Sequence, residues 1–251
     1  MMNNDNKISV ETKLFGYIGE HAGVSRFCAL INKLFKENSD DVMIIPMNIR
    51  PDDLYFTVSN MKNSHVNGAV ISSEYVTEVV EILDDASSLV KRSGMCDIIY
   101  REENKLRGCL FSIRVLSEHL KDIYASKIAI IGTNHYSKAF SFLACGFNVS
   151  YFNDNLEELL TFTEEIEISD ADINRIATGM EVDFSGFDAV LDFSEFNDLS
   201  MVTQLAKNNF DMKNTKQFSA LKKRANELGN SYTSYDDLLE KLTNKAYSLI
   251  K

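Results

Sequence analysis

The chain has 251 residues, 45% hydrophobic and 25% charged, the balance of a globular protein rather than a disordered one. A net charge of −11 argues against nucleic acid as a partner, because an acidic surface repels phosphates before contact. No apolar run reaches the roughly 18 residues of a membrane span, and residues 1–7 are polar, without the apolar core of a secretory leader. A cytoplasmic protein without membrane attachment is expected. Cys28, Cys96, Cys109 and Cys145 lie far apart in apolar or mixed segments, which suits buried free thiols. They show no metal-ligand spacing, and neither do the four histidines, so no metal is expected.

Residues 13–18 read as a strand, followed by Gly19 and a loop to Val24. Ser25 is suited to cap the next helix, whose apolar residues Phe27, Leu30, Ile31, Leu34 and Phe35 fall at helical spacing. Residues 42–47 form a second strand, ended by Pro46 and Pro51; Asp52 and Asp53 then favour the positive end of a helix. Residues 66–72 are a third strand, and Val76, Val79, Val80, Ile82 and Leu83 mark one face of the helix expected after it. Residues 95–100 and 105–110 form two short strands joined by a polar turn.

A helix over 112–124 carries Ile113, Leu116, Leu120 and Ile123 as its buried stripe. Residues 127–132, Lys-Ile-Ala-Ile-Ile-Gly, form a continuous apolar strand of the kind that lies in parallel sheets covered on both faces. A helix over 136–145, capped by Gly146, and a strand over 148–152 complete a right-handed βαβ unit. Asp154, Glu157 and Glu158 read as an acidic helix start; residues 187–193 are another parallel strand, and 221–228 and 238–249 are closing helices. The fold class is α/β: an N-terminal αβ domain over 1–107, a Rossmann-like parallel-sheet domain over 108–235, and a final helix over about 236–251 that packs back on the first. A small-molecule ligand is expected in the cleft between them, with monomer and homodimer both open.

Several local patterns resemble the shikimate dehydrogenase family, in register along essentially the whole chain. Ile18-Gly19 with Ser25 falls on the family's opening strand and serine pair, and Pro51-Asp-Asp-Leu54 on its Pro-Glu-Asp-Leu. Asn67-Gly-Ala-Val-Ile-Ser-Ser-Glu-Tyr75 stands where the family has Gly-x-Asn-Val-Thr-x-Pro-x-Lys. Gly94-Met-Cys-Asp-Ile98 takes the place of Gly-Ala-Val-Asn-Thr, and Asn104-Lys-Leu-Arg-Gly108 that of Gly-Lys-Leu-x-Gly. Cys109-Leu-Phe-Ser112 then replaces Tyr-Asn-Thr-Asp.

The resemblance implies a substrate-type first domain, and a lysine–aspartate pair that holds and deprotonates the hydroxyl being oxidised. Tyr75 and Ser112 occupy those two positions, and Ser25, Ser72 and Asp97 fall on the substrate side. A tyrosine base needs a cation to lower its pKa, for which Arg114 is the candidate. Asp97 replaces a neutral asparagine, and a carboxylate there repels an anion by around 4 kcal/mol at 4 Å and an effective dielectric of 20. The family's loop Gly-x-Gly-Gly-x-x-x-Ala reads here Gly132-Thr-Asn-His-Tyr-Ser-Lys-Ala139. Gly132, Asn134, His135 and Asp154 are then the cofactor-side positions for any dinucleotide. Asp154 suits the ribose hydroxyl of NAD rather than the phosphate of NADP, and His135 with Lys138 could hold an anion.

Because these positions have changed together, the leading expectation is a member of the family without its reaction, binding another small ligand or a partner. The alternative is an NAD(P)-dependent oxidoreductase of a different hydroxy or amino substrate, with Tyr75, Asp97 and Ser112 as its rebuilt site. A divergent active shikimate dehydrogenase and a regulatory subunit also remain open.

Overall fold

The structure is a computed structural model and describes residues 11–214 and 217–251. The leader-free start expected over residues 1–7 lies outside the described residues. The chain divides into two compact units, one running to Phe111 and including Glu240–Lys251, the other Ser112–Leu239.

The first unit comprises β1 (Lys13–Gly19), α1 (Phe27–Glu37), β2 (Val42–Asn48), α2 (Pro51–Asn60), β3 (Val66–Ile71), β4 (Asp85–Ala86), α3 (Ser88–Ser93), β5 (Ile98–Glu102) and β6 (Lys105–Cys109). Its mixed sheet has the order β2-β1-β3-β5-β6-β4. The first three strands are parallel, and β5 runs antiparallel to β3 and β6. Helix α1 buries Phe27, Cys28, Ile31 and Phe35, a one-sided stripe that seals one face.

Three local expectations are corrected here. Ser25 is not the cap of α1: Arg26 holds that place without a side-chain bond, and Ser25 Oγ accepts the Phe27 amide at 3.2 Å. Pro46 does not end the second strand but sits inside β2, paired with Tyr17. It is tolerated because β2 is an edge strand. The Ile49 amide donates to Gly19 O, so alternate residues turn 44 and 46 outward, and the amide and carbonyl of Ile44 are both bonded to the side chain of Asn32 at 2.8 Å. Finally, residues 76–83 form no α-helix; two 3₁₀ turns, Ser73–Tyr75 and Glu78–Ile82, take that place. Val76, Val79 and Ile82 are the buried residues, and their spacing of three is the 3₁₀ period.

The second unit comprises α4 (Ser112–Asp122), β7 (Lys127–Ile131), α5 (His135–Ser141), β8 (Asn148–Asn153), α6 (Leu156–Glu165), β9 (Asp172–Arg175), β10 (Val182–Asp183), β11 (Ala189–Asp192), β12 (Val202–Gln204), β13 (Asn208–Asp211) and α7 (Ala220–Leu228). Strands β10 and β12 pair with each other. The other five form one parallel sheet in the order β9-β8-β7-β11-β13. Counted along the chain that is 3-2-1-4-5, the doubly wound order, whose reversal lies between β7 and β11. Ala129, Ile131, Val190, Phe184 and Leu221 belong to one buried cluster of this unit.

Helix α5 is shorter than its sequence suggested, ending at Ser141, and Gly146 is not its cap. The glycine uses its φ of +91° in the turn before β8, and Cys145 beside it is exposed rather than buried. The last helix, α8 (Leu239–Ile250), buries Leu242, Ala246 and Ile250 on one face, and Tyr247 OH donates to the Asp40 carboxylate at 2.7 Å. Among the described residues no helix is long and apolar enough to cross a membrane.

Candidate functional site

The reversal point of the parallel sheet carries a cavity of about 300 Å³ within the second unit. It is lined by the turns that follow β7 (Gly132, Thr133, Asn134), β8 (Asn153, Asp154) and β11 (Phe193 to Phe196), with Glu158 from α6. In doubly wound sheets this crevice outside the carboxyl ends of the strands is where ligands sit.

Gly132 opens the first turn with φ +95°, and a Cβ there would meet backbone atoms of Phe193 and Ser194 at 2.8–3.0 Å. The turns after β7 and β11 therefore touch backbone to backbone. Asn134 ties them together: it is the N-cap of α5, its Oδ1 accepting the amides of Tyr136 at 2.9 Å and Ser137 at 3.3 Å. Its Nδ2 donates to Phe193 O. Ser137 Oγ donates back to Gly132 O at 2.8 Å, and the rings of Tyr136 and Phe193 stack 5.8 Å apart. The first free amides of the helix are thus satisfied by the chain itself. Asn134→Ala should remove this cap and the strap to Phe193, costing about 1–2 kcal/mol. Urea denaturation would measure it, and an unchanged midpoint would contradict the strap.

The charged residues lining the cavity are Asp154, Glu158 and Glu195, with neither lysine nor arginine among them. Glu158 is held by Asn153 Nδ2 and Asn155 Nδ2, each at 3.0 Å. His135 is exposed on the first turn of α5 and does not line the cavity. Lys138 pairs with Glu165 at 2.6 Å. Arg175 Nε donates to the backbone carbonyl of Asp154 at 3.1 Å.

Behind the cavity wall lies a buried acid that sequence reasoning did not single out. Asp192 ends β11 with 1% exposure, and its Oδ1 accepts the amide and hydroxyl of Ser194 at 2.9 and 2.6 Å. Its Oδ2 is buried without a hydrogen-bond partner among the described residues. Burial pushes its pKa up to about 6, against the opposing pull of the Ser194 bonds and Lys213. Asp211 stands beside it in register at the end of β13 and accepts from Tyr232 OH, Ser219 Oγ and the Lys213 amide. Burial raises its pKa as well. The signal for both was an aspartate closing a short strand.

The other expected positions fall in the first unit, apart from Arg114 and Ser112, the latter the buried first residue of α4. Ser25 and Ser72 both lie at the buried phenol of Tyr17. The Ser72 hydroxyl donates to Glu74, whose other oxygen accepts the Glu20 amide at 2.8 Å. Tyr75 is buried, and its OH donates to Ile49 O at 2.7 Å. Burial, then the charges of Glu20, Glu74 and Glu78, raise its pKa. Asp97 is buried and accepts the Phe111 amide at 2.8 Å. Arg114 is exposed on α4.

No model of a known protein family matches the chain. It is 26% identical over 152 residues to the shikimate dehydrogenase (NADP(+)) of Dictyoglomus thermophilum, covering 59% of this chain and 55% of that one. The enzyme of the same name from Pyrococcus furiosus is 26% identical over 155 residues, covering 60% and 57%. The chain thus matches little more than half the length of these relatives. The crystal structure of shikimate dehydrogenase from Aquifex aeolicus superposes with a TM-score of 0.76 at 18% identity, over 98% of this chain and 94% of that one. With the doubly wound second unit and the mixed first sheet, these likenesses lead to one conclusion: the chain has the fold of shikimate dehydrogenases and is distantly similar to them in sequence over little more than half their length.

Proposed function

We propose that this chain is a cytoplasmic member of the family that has given up shikimate oxidation and binds a different small molecule. The observation that carries this reading is the cap of α5. A pyrophosphate bound at the start of a helix needs its free amides, and here Asn134 Oδ1 occupies those of Tyr136 and Ser137. The dinucleotide of the relatives' reaction fits these residues poorly, since three carboxylates and no lysine or arginine line the cavity. The reaction's proton chemistry is equally unsupported. A base at Tyr75 would need its pKa lowered toward neutrality, whereas its surroundings raise it and its hydroxyl is spent on a carbonyl.

The test is a thermal-melt titration of the full chain with NAD, NADH, NADP and NADPH. A ligand at 100 times its dissociation constant adds about 2.7 kcal/mol, several degrees for a chain of this length. No shift is expected at millimolar concentrations, and a saturable shift with NADP or NADPH would overturn the proposal. A second reading, an NAD-dependent oxidoreductase of another substrate, is favoured by Asp154, which directly follows β8 where an acid can meet a ribose hydroxyl. A shift confined to NAD and NADH would select it.

A further inference from the structure

We infer that the cavity at the carboxyl ends of β7, β8 and β11 binds a small organic cation, a ligand carrying a primary ammonium or guanidinium group on a short carbon frame. The inference rests on the reading that this place no longer holds a dinucleotide. Its starting point is Asn153, the last residue of β8, 4% exposed and part of the cavity lining. Its Nδ2 donates to Glu158 at 3.0 Å and approaches Thr133 Oγ1 at 3.5 Å, which fixes the orientation of the amide. Its Oδ1 then has no hydrogen-bond partner among the described residues. That oxygen is not among the side-chain atoms of the described residues that are sealed from solvent without a partner, as Asp192 Oδ2 and Asn209 Oδ1 are. It is reached through the cavity its residue lines. A nearly buried acceptor held in place without a donor is a site for one.

The rest of the lining asks for the same chemistry. The carboxylates of Asp154 and Glu195 have no partner among the described residues and can only accept while ionised. Ser194 Oγ is already committed, donating to Asp192 and accepting the Phe196 amide at 3.3 Å. That leaves the Thr133 hydroxyl as the side-chain donor facing a ligand. A molecule that satisfies the side chains of this wall brings donors and few acceptors, and an ammonium with three or a guanidinium with five and no acceptor does so. Charge points the same way. Lys138 is paired with Glu165, whereas Lys213, bonded to the neutral carbonyl of Ser194, keeps its charge beside the lining, one cation against the three acids. Arg175 at the carbonyl of Asp154 is the cation an anionic ligand would have to use. Phe193 and Phe196 add aromatic wall, whose faces attract cations. The volume of about 300 Å³ stands at the lower end of small-molecule sites, which suits a compact ligand.

Calorimetric titration of the full chain with agmatine and putrescine, and in parallel with AMP and NAD, tests this. Saturable one-to-one binding of at least one of the two cations is expected. Asp154→Asn with Glu195→Gln should weaken it at least tenfold. Glu164→Gln with Asp170→Asn, the same charge change at exposed acids outside the lining, should leave it within twofold. Equal weakening by both pairs would reduce the binding to general attraction by an acidic protein and overturn the inference. Failure of all four probes would also overturn it, leaving the loss of dinucleotide binding intact. Binding of NAD or AMP that disappears in Arg175→Ala would overturn both.

Discussion

Gly132→Ala is expected to cost about 3–5 kcal/mol, lowering the melting temperature by roughly 10 °C or more. Two penalties combine. The backbone at 132 has φ +95°, a conformation that costs an L-residue about 1–3 kcal/mol. The new methyl would also lie 2.8 Å from Ser194 N and 2.9 Å from Ser194 Cα, atoms that cannot rotate away as a flexible side chain could. Moving them pulls on Phe193 O, which Asn134 holds, and so on the cap of α5. Gly146→Ala is the control: its φ is +91°, but its Cβ would meet nothing within 4 Å. That variant should lose only the strain, about 1–2 kcal/mol. Denaturant midpoints of the two variants give the collision by difference, and equal losses would mean that the turns after β7 and β11 yield without cost.

Asp192→Asn should remove a pH dependence of about 3 kcal/mol. The acid has a pKa of about 6 in the fold and 3.8 ordinarily, so between those values the folded chain binds more protons than the unfolded one. Stability from this group is therefore full below about pH 4 and falls as the pH rises through 6, each tenfold difference in proton affinity being worth about 1.4 kcal/mol. Asp211 is raised in the same direction and survives in the variant. The measurement is the stability of variant minus wild type from pH 4 to pH 7, which should climb by about 3 kcal/mol across the window. A flat difference would show that the charge of Asp192 is compensated by Lys213 or by water at Oδ2.

How far the sequence leads depends on how local the governing physics is. The run from Ile128 to Ile131, apolar at every position, allows little but a strand covered on both faces, and β7 lies there in the middle of a parallel sheet. The hairpin of β5 and β6 is equally local, two apolar strands around a polar turn. Reading residues 76–83 as an α-helix failed because hydrophobicity alone does not separate a period of 3.6 from one of 3.0 over eight residues. Which of Val79, Val80, Ile82 and Leu83 is buried decides it, and packing sets that. Strand β13 was illegible for another reason. Asn208 and Asn209 have little strand preference, yet Asn209 is buried with its Nδ2 bonded to Ala206 O and Ser231 O, a partnership that exists only after folding.

The site divides in the same way. Gly132 was visible as the glycine that the family's pattern keeps and Asp154 as a departure from it, whereas reading Asn134 as a cofactor-side position did not show that its side chain caps α5. Asparagine two residues past a strand-ending glycine is a strong capping signal in its own right. The contribution of β11 was not visible at all. Nothing near Phe193 to Phe196 announces a ligand, and only the strand order brings that turn against Gly132.

The outer side of β2 has a consequence for how copies of this chain can meet. Adding a strand from a neighbouring molecule would need a repeating row of donors and acceptors there. At position 44 both groups are already engaged by Asn32, and at position 46 proline supplies no donor. The opposite margin of the sheet is β4, two residues long, too short to template a ladder. Fibril-like growth by sheet extension is therefore blocked at both margins of this sheet, and any self-association through it has to use side-chain faces instead.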